Sequence, residues 1–178
     1  MIEKAFIELL QEKGFQSITV QDITDRAMVN RATFYDHFTD KYALVEHSMR
    51  TWFQQTLESK LPADLRYCPS NLGLLIETLG EFLGQVGDHC RTRNADGLPS
   101  FDEQVVDVVS ELLSKWIQDH GRLTGSSDLI VAVASWAMYG AARHWSRQKP
   151  RESIKDFAMR TAPMISALID QDETTAAV

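Results

Sequence analysis

The sequence predicts an all-α protein, and three observations support this fold class. Apolar residues recur at helical spacing along most of the 178 residues. Four of the five prolines fall between these amphipathic segments: Pro62, Pro69, Pro99 and Pro150. The alternation of apolar and polar residues that is typical of hairpin strands does not occur in the sequence. We therefore expect helices joined by loops.

Three short helices are expected at the beginning of the chain. The first covers residues 1–13, with its apolar side chains on one face, and Gly14 ends it. The second begins after Thr19, because an acid three residues later completes the pattern of a capping box. The third covers residues 31–38, and Asn30 is a favourable N-cap for it. The connections between them are too short to reach a sheet.

The second and third helices, with the three-residue turn between them, form a helix-turn-helix pattern. In this motif the second helix of the pair lies in the major groove of DNA. Phe34 and Phe38 lie one helical turn apart and should face the protein interior. The opposite side carries hydroxyl groups and a histidine that suit phosphates, and an arginine that suits a guanine edge.

Residues 14–45, GFQSITVQDITDRAMVNRATFYDHFTDKYALV, resemble the DNA-binding domain of TetR/AcrR-type bacterial transcriptional regulators. The resemblance implies phosphate contacts from Thr19, Thr33, Tyr35, His37 and Lys41. It implies base contacts from Gln21, Asn30, Arg31 and Ala32. Members of the family usually have glycine where Met28 stands, since that turn favours a left-handed backbone. We therefore expect either strain or a different turn geometry at Met28.

The resemblance also implies an organisation and a function. Residues 1–45 would form the helix-turn-helix DNA-binding domain, and residues 46–178 a helical bundle for ligand binding and dimerisation. The expected protein is a homodimeric repressor that leaves a palindromic operator when a small, largely apolar or aromatic inducer binds. The alternative is a family member with weak or lost DNA binding that acts through protein contacts. The exposed acid expected at Asp36 would favour this alternative.

The apolar periodicity predicts five longer helices after the three short ones, over residues 40–60, 70–92, 100–120, 128–148 and 152–170. The last two segments are rich in alanine and other small residues. If they are antiparallel, they would meet the same two helices of a second copy in a four-helix bundle and form a homodimer. Alternatively, both helices belong only to the core of one chain.

The candidate ligand pocket combines aromatic side chains with glycines: Trp52, Phe53, Gly80, Phe82, Gly84, Trp116, Trp136 and Tyr139. Gly80 and Gly84 belong to a stripe of glycines on one face of the segment 70–92. Each glycine inside a helix costs roughly 0.5–1 kcal/mol relative to alanine, so the stripe needs a reason. Close approach of another helix and room for a ligand both remain possible.

Charge and motif content argue against several function classes. The net charge is −7, and the first 50 residues hold six basic and eight acidic residues, a net −2, so any DNA contact must come from local placement. The two cysteines, Cys68 and Cys90, indicate a reducing cytoplasm. No phosphate-binding loop, nucleophile elbow or metal-ligand spacing occurs. We expect no enzyme activity, no cofactor, no metal and no membrane span.

Overall fold

A computed structural model describes residues 1–62, 66–89, 101–118, 127–149 and 152–170. Its helices are α1 (Ile2–Lys13), α2 (Val20–Ala27), α3 (Arg31–His37), α4 (Lys41–Lys60), α5 (Pro69–His89), α6 (Phe101–Gln118), α7 (Ser127–Arg147) and α8 (Ile154–Asp170). A single 3₁₀ turn at Phe15–Ser17 separates α1 from α2. The described residues contain no strand, and each helix lies where the sequence predicted one. The all-α prediction is confirmed.

The first three helices pack around a small apolar core that includes Phe6, Phe15 and Phe34. The two predicted N-caps are present. The Thr19 hydroxyl accepts from the backbone N–H of Asp22 at 3.1 Å, while the Thr19 N–H donates to the Asp22 carboxylate at 2.7 Å. The Asn30 side chain accepts from the first turn of α3. These bonds satisfy N–H groups that the starts of α2 and α3 would otherwise leave without partners.

Ion pairs join α1 to α2 on the surface of this domain. Arg26 makes two hydrogen bonds to Glu12, at 2.8 and 2.7 Å. Lys13 pairs with Asp22 at 2.7 Å. The hydrogen bond from Lys13, together with those from Thr19, holds the pKa of the Asp22 carboxyl well below its usual range. The first helix is therefore tied to the second by charge as well as by its apolar face.

The turn before α3 has a left-handed residue, so of the two outcomes expected at Met28 the structure has the strained turn and not a different turn geometry. Met28 has φ 53° and ψ 44°, and its side chain is 87% exposed. A Cβ in this region approaches the following carbonyl oxygen, so a residue other than glycine is strained there. The turn thus has the left-handed geometry that favours glycine, and its strain has to be offset by the rest of the domain.

Helix α4 runs without a break across the predicted boundary at residues 45 and 46. Its first half belongs to the helix-turn-helix region, and its second half packs against α5 and α6. Arg50 on α4 also donates to both carboxylate oxygens of Glu111 on α6, at 2.5 and 2.6 Å. A rigid helix therefore connects the first three helices to the C-terminal bundle.

In the C-terminal bundle, α5 packs against both α7 and α8, and α6 packs against α7. A Cβ placed on Gly80 of α5 would lie 2.5 Å from Cδ1 of Ile154 and 3.4 Å from Cε3 of Trp145. Gly80 thus makes room for neighbouring side chains of the fold, which favours close approach of another helix over space for a ligand. Gly84 is buried on the same helix.

Candidate nucleic-acid interface

Helix α3 has a buried side and an exposed side. Phe34 is fully buried and confirms the predicted inward face, whereas Phe38 is only half-buried and contacts the ring of His47. The exposed side of the helix consists of Arg31, Ala32, Tyr35, Asp36 and His37. Because Phe34 is anchored in the core and Asn30 caps the first turn, α3 presents this polar side in a defined orientation.

Several of the predicted contact residues already use their polar atoms within the domain. The Thr19 hydroxyl donates to the Asp22 carboxylate at 2.6 Å, and the Gln21 amide donates to Asp25 at 2.6 Å. The side-chain oxygen of Asn30 accepts from the N–H of Ala32 at 2.9 Å. These three side chains are exposed, but DNA would have to share them with bonds that hold α2 and α3 in shape.

Thr33 and His37 line an open groove between the start of α1, α3 and α4. His47 and Glu3 also line it, and the His47 Nε2 lies 3.2 Å from a Glu3 carboxylate oxygen. Thr33 is partly buried, and His37 is exposed at the groove edge. The groove brings together two residues that the resemblance assigned to phosphate contacts.

Lys41 is engaged differently from the prediction. Its ammonium group donates to the backbone carbonyls of Phe15, Gln16 and Ile18, at 3.3, 3.5 and 2.9 Å. The same nitrogen lies 4.6 Å from the centroid of the Phe15 ring. A lysine has three N–H donors, and all three have partners here. In this structure Lys41 fastens the start of α4 to the turn after α1 and is not free to meet a phosphate.

Arg31 and Tyr35 form a pair on the exposed side of α3. The Arg31 Nη2 donates to the Tyr35 hydroxyl at 3.2 Å, and the guanidinium carbon lies 5.6 Å from the centroid of the tyrosine ring. Both side chains are exposed. The resemblance placed Arg31 at bases and Tyr35 at phosphates, so the contact between them was not anticipated.

The residues predicted to form the ligand pocket are divided between two places. Trp52, Phe53 and Phe82 meet at the junction of α4 and α5, with the Trp52 and Phe53 ring centroids 5.0 and 4.8 Å from that of Phe82. Phe101 of α6 stacks on Phe82 at 6.3 Å and completes this aromatic cluster. Phe101 was not among the predicted pocket residues, because the contact joins helices that are distant along the chain.

The other predicted pocket residues lie elsewhere on α6 and α7. Trp116 is buried on α6. Tyr139 is buried, and its hydroxyl donates to Asp102, which also pairs with Arg143. Burial and the hydrogen bond to Asp102 raise the pKa of Tyr139. Trp136 is 49% exposed on the surface of α7, which corrects its interpretation as an internal pocket wall.

The described residues contain neither a candidate metal site nor a candidate membrane span. Within the ranges that the structure describes, no group of three or more His, Cys, Asp or Glu side chains could hold a metal ion. In the same ranges, no helix combines the length and apolar character that crossing a bilayer requires.

Residues 2–47 match the family model described as bacterial regulatory proteins of the TetR family. These residues include the buried side of α3, the capped starts of α2 and α3, and the left-handed turn at Met28. The chain thus contains a helix-turn-helix region of the TetR family. Regulators of this family bind DNA operators and typically form homodimers that respond to small-molecule ligands.

Curated relatives extend the match to different degrees. The chain is 44% identical over 46 residues to YxbF of Bacillus subtilis, an HTH-type transcriptional regulator, covering 25% of this chain and 12% of that protein. It is 26% identical over 179 residues to the HTH-type transcriptional repressor DhaR of a Mycobacterium species, covering 88% of this chain and 86% of DhaR. The higher identity is thus found over a short part of the chain, and the longer match has the lower identity.

Solved structures extend the likeness to the whole fold. A TetR transcriptional regulator from Streptococcus agalactiae superposes with a TM-score of 0.63 at 22% identity, over 92% of this chain and 90% of that one. At this identity the likeness concerns the fold: the helix-turn-helix region is followed by the same kind of helical bundle.

Proposed function

We propose that this protein is a cytoplasmic, homodimeric transcriptional repressor that binds a palindromic DNA operator and leaves it when a small inducer binds. The observation that carries the proposal is the exposed polar side of α3, presented by a capped helix whose other side is buried in the core. Such a helix suits the major groove. The protein would act by binding, without catalysis.

The DNA contacts follow from where the polar side chains lie. Arg31 and Ala32, in the first turn of α3, would face base edges, with Gln21 and Asn30 beside them. Thr33 and His37 would meet phosphates at the groove that they line. Thr19, which caps the N-terminus of α2, would also contact a phosphate. Because the first 50 residues carry net negative charge, affinity should rest on these contacts and show a modest salt dependence.

A second copy of the chain is the partner that the surface of α7 and α8 favours. Large apolar side chains are exposed there at helical spacing: Leu129, Val133 and Trp136 on α7, with Met159 and Met164 on α8. We call these five residues the outer face. On α7 the exposed Gly140 extends the stripe, and a Cβ there would meet nothing within 4 Å. Exposed apolar patches of this kind usually mark an interface. A two-fold dimer would bury the same face on both copies.

An inducer would act through α4, because that helix takes part in both regions. Its first residue, Lys41, is bonded to the turn after α1, whereas Trp52 and Phe53 belong to the aromatic cluster. An apolar or aromatic compound that binds against this cluster would shift α4 and change the separation of the two α3 helices in the dimer. Such a ligand shifts the equilibrium between the two arrangements of the dimer only as far as its affinities for them differ.

The DNA-binding proposal is tested by selecting ligands from a random double-stranded DNA pool and measuring affinity at several salt concentrations. We expect the selected site to be a palindrome. Arg31→Ala should lower the affinity for this site by at least roughly tenfold, which is the usual contribution of a base contact. Arg66→Ala removes the same charge from an exposed position outside α3 and serves as the control. Absence of binding by the unmodified protein, even at low salt, would contradict the proposal.

The dimer is tested by sedimentation of the double variant Met159→Glu, Met164→Glu. We expect a monomer, because each charge would have to be buried without a partner. Met28→Glu is the matched control, since it makes the same change at an exposed methionine in another part of the chain. A double variant that sediments like the unmodified protein would exclude the outer face as the interface.

The inducer is tested by adding indole, benzoate and medium-chain fatty acids to the preformed DNA complex. Release by at least one compound, weakened in Phe82→Leu, would support an apolar or aromatic inducer at the aromatic cluster. Release that is unchanged in Phe82→Leu would place the ligand elsewhere. A complex that resists the whole panel would contradict the proposed inducer chemistry.

A further inference from the structure

The pair formed by Arg31 and Tyr35 is the feature of α3 that the predicted contacts leave unexplained. The two residues are four apart in sequence, so they share one face of the helix. The guanidinium makes a 3.2 Å hydrogen bond to the tyrosine hydroxyl and lies near the ring face, 5.6 Å from its centroid. Tyr35 thus contacts Arg31 in two ways before any DNA is present.

This contact restricts a side chain that would otherwise be mobile. A free arginine loses rotamer freedom when it binds, and that loss weakens the contact it makes. A guanidinium has five N–H donors, and the bond to Tyr35 uses one of them. The remaining donors suffice for the two acceptors on the major-groove edge of guanine, O6 and N7. The hydroxyl of Tyr35 acts as the acceptor in the pair, because arginine cannot accept.

We propose that Tyr35 is a positioning residue for sequence recognition: it holds the Arg31 guanidinium ready for one guanine in each half-site. This inference rests on the proposed DNA-binding function of α3. It gives Tyr35 a role different from the phosphate contact that the resemblance implies. A phosphate contact contributes to binding of every sequence, whereas a positioning residue affects the discrimination at the one base pair that Arg31 contacts.

The experiment compares affinities of single-base-pair variants of the selected site. Each G·C pair of the site is changed to A·T in turn, and binding is measured for the unmodified protein and for Arg31→Ala, Tyr35→Phe and Tyr42→Phe. Tyr35→Phe keeps the ring and removes only the hydroxyl acceptor. Tyr42→Phe makes the same change at another exposed tyrosine of the domain and is the matched control.

The expected result is specific to one base pair. Arg31→Ala should abolish discrimination at a single G·C position of each half-site, roughly tenfold or more for a bidentate contact. Tyr35→Phe should reduce discrimination by about threefold or more at that same position, because it removes only part of the discrimination that the Arg31 contact provides. Other positions, non-specific affinity and the salt dependence should stay unchanged, and Tyr42→Phe should behave like the unmodified protein throughout.

Three outcomes would overturn the inference. A uniform loss of affinity for all sites in Tyr35→Phe, with a weaker salt dependence, would show that Tyr35 contacts a phosphate. Discrimination that is unchanged in Tyr35→Phe but lost in Arg31→Ala would show that Arg31 needs no support. If the unmodified protein selects no site from the pool, the proposed DNA binding fails, and the inference fails with it.

Discussion

Two exposed helical surfaces of this protein differ in chemistry and in how their side chains are occupied. The exposed side of α3 is polar, and Arg31 there is already bonded to Tyr35. The outer face of α7 and α8 is apolar, and Met164 is 70% exposed on it. The first surface suits a charged, hydrogen-bonding partner, and the second suits an apolar one. The two partners that we propose, DNA for α3 and a second copy for the outer face, therefore differ in chemistry as the two surfaces do.

The regions behind these surfaces are also held together differently. The helix-turn-helix region combines a small core with directed polar bonds, such as those of Lys41 to three carbonyls. The bundle of α5, α7 and α8 depends on close apolar contact, which Gly80 permits. Polar bonds specify orientation, whereas close packing specifies distance. Four predictions test this difference, in order of decreasing effect.

Phe34→Ala should have the largest effect, because Phe34 is fully buried behind the exposed side of α3. We expect the free energy of unfolding to fall by about 3–5 kcal/mol, the usual cost of deleting a buried phenylalanine. Urea denaturation at constant protein concentration measures it. Tyr35→Ala, at the exposed neighbouring position, should cost well under half as much. Similar costs for both would mean that α3 is not anchored through Phe34.

Lys41→Met tests the polar contacts of the first region. Loss of the bonds to the carbonyls of residues 15, 16 and 18 should lower the free energy of unfolding by about 1.5–3 kcal/mol, the range for hydrogen bonds with a charged partner. The salt dependence of DNA binding should stay unchanged. If Lys41 instead contacts a phosphate, the slope of log affinity against log salt should fall by about 0.9. Lys41→Arg, which keeps the charge, is the control.

Met28→Gly should stabilise the protein by about 1 kcal/mol, because glycine adopts the left-handed backbone of Met28 without strain. Thermal unfolding measures the gain. Met28→Ala removes the exposed side chain but keeps the Cβ, so it should give no comparable gain. Equal stabilisation by both variants would show that the exposed methionine side chain, and not the backbone, carries the cost.

Gly73→Ala and Gly80→Ala probe close packing in α5, with the smallest expected effects. A Cβ at Gly73 would meet Ala162 Cβ at an ordinary 3.8 Å, so alanine should stabilise the helix by about 0.5–1 kcal/mol. At Gly80 the clash with Ile154 should cancel this gain, and adding Ile154→Val should restore part of it. The free energies of unfolding of the unmodified protein, Gly73→Ala, Gly80→Ala and the double variant Gly80→Ala, Ile154→Val are measured by chemical denaturation. Equal gains at both glycines would refute the packing explanation.

Local features were predictable from the sequence. The helix starts at Thr19 and Asn30 and the inward direction of Phe34 depend on a few neighbouring residues. A capping bond spans three residues and a helical face repeats every 3.6, so the sequence contains the information directly. The family match over residues 2–47 covers this same part of the chain.

The partners of individual side chains were not predictable in the same way. The carbonyls that Lys41 contacts lie 23 to 26 residues before it, and Phe101 meets Phe82 from another helix. Periodicity places Trp136 on one side of α7, but it does not say whether that side faces the core or the surface. In the sequence alone, a glycine at position 80 is equally consistent with space for a ligand and with close approach of a neighbouring helix.

The sequence by itself determined the fold class and the approximate positions of the helices, because these follow from short-range spacing and capping. Only the tertiary structure decided that Lys41 binds backbone carbonyls, that Gly80 is filled by Ile154, and that the outer face of α7 and α8 is open. Each of these depends on how far one helix lies from another. That distance results from the packing of the whole chain, and no local pattern of residues encodes it.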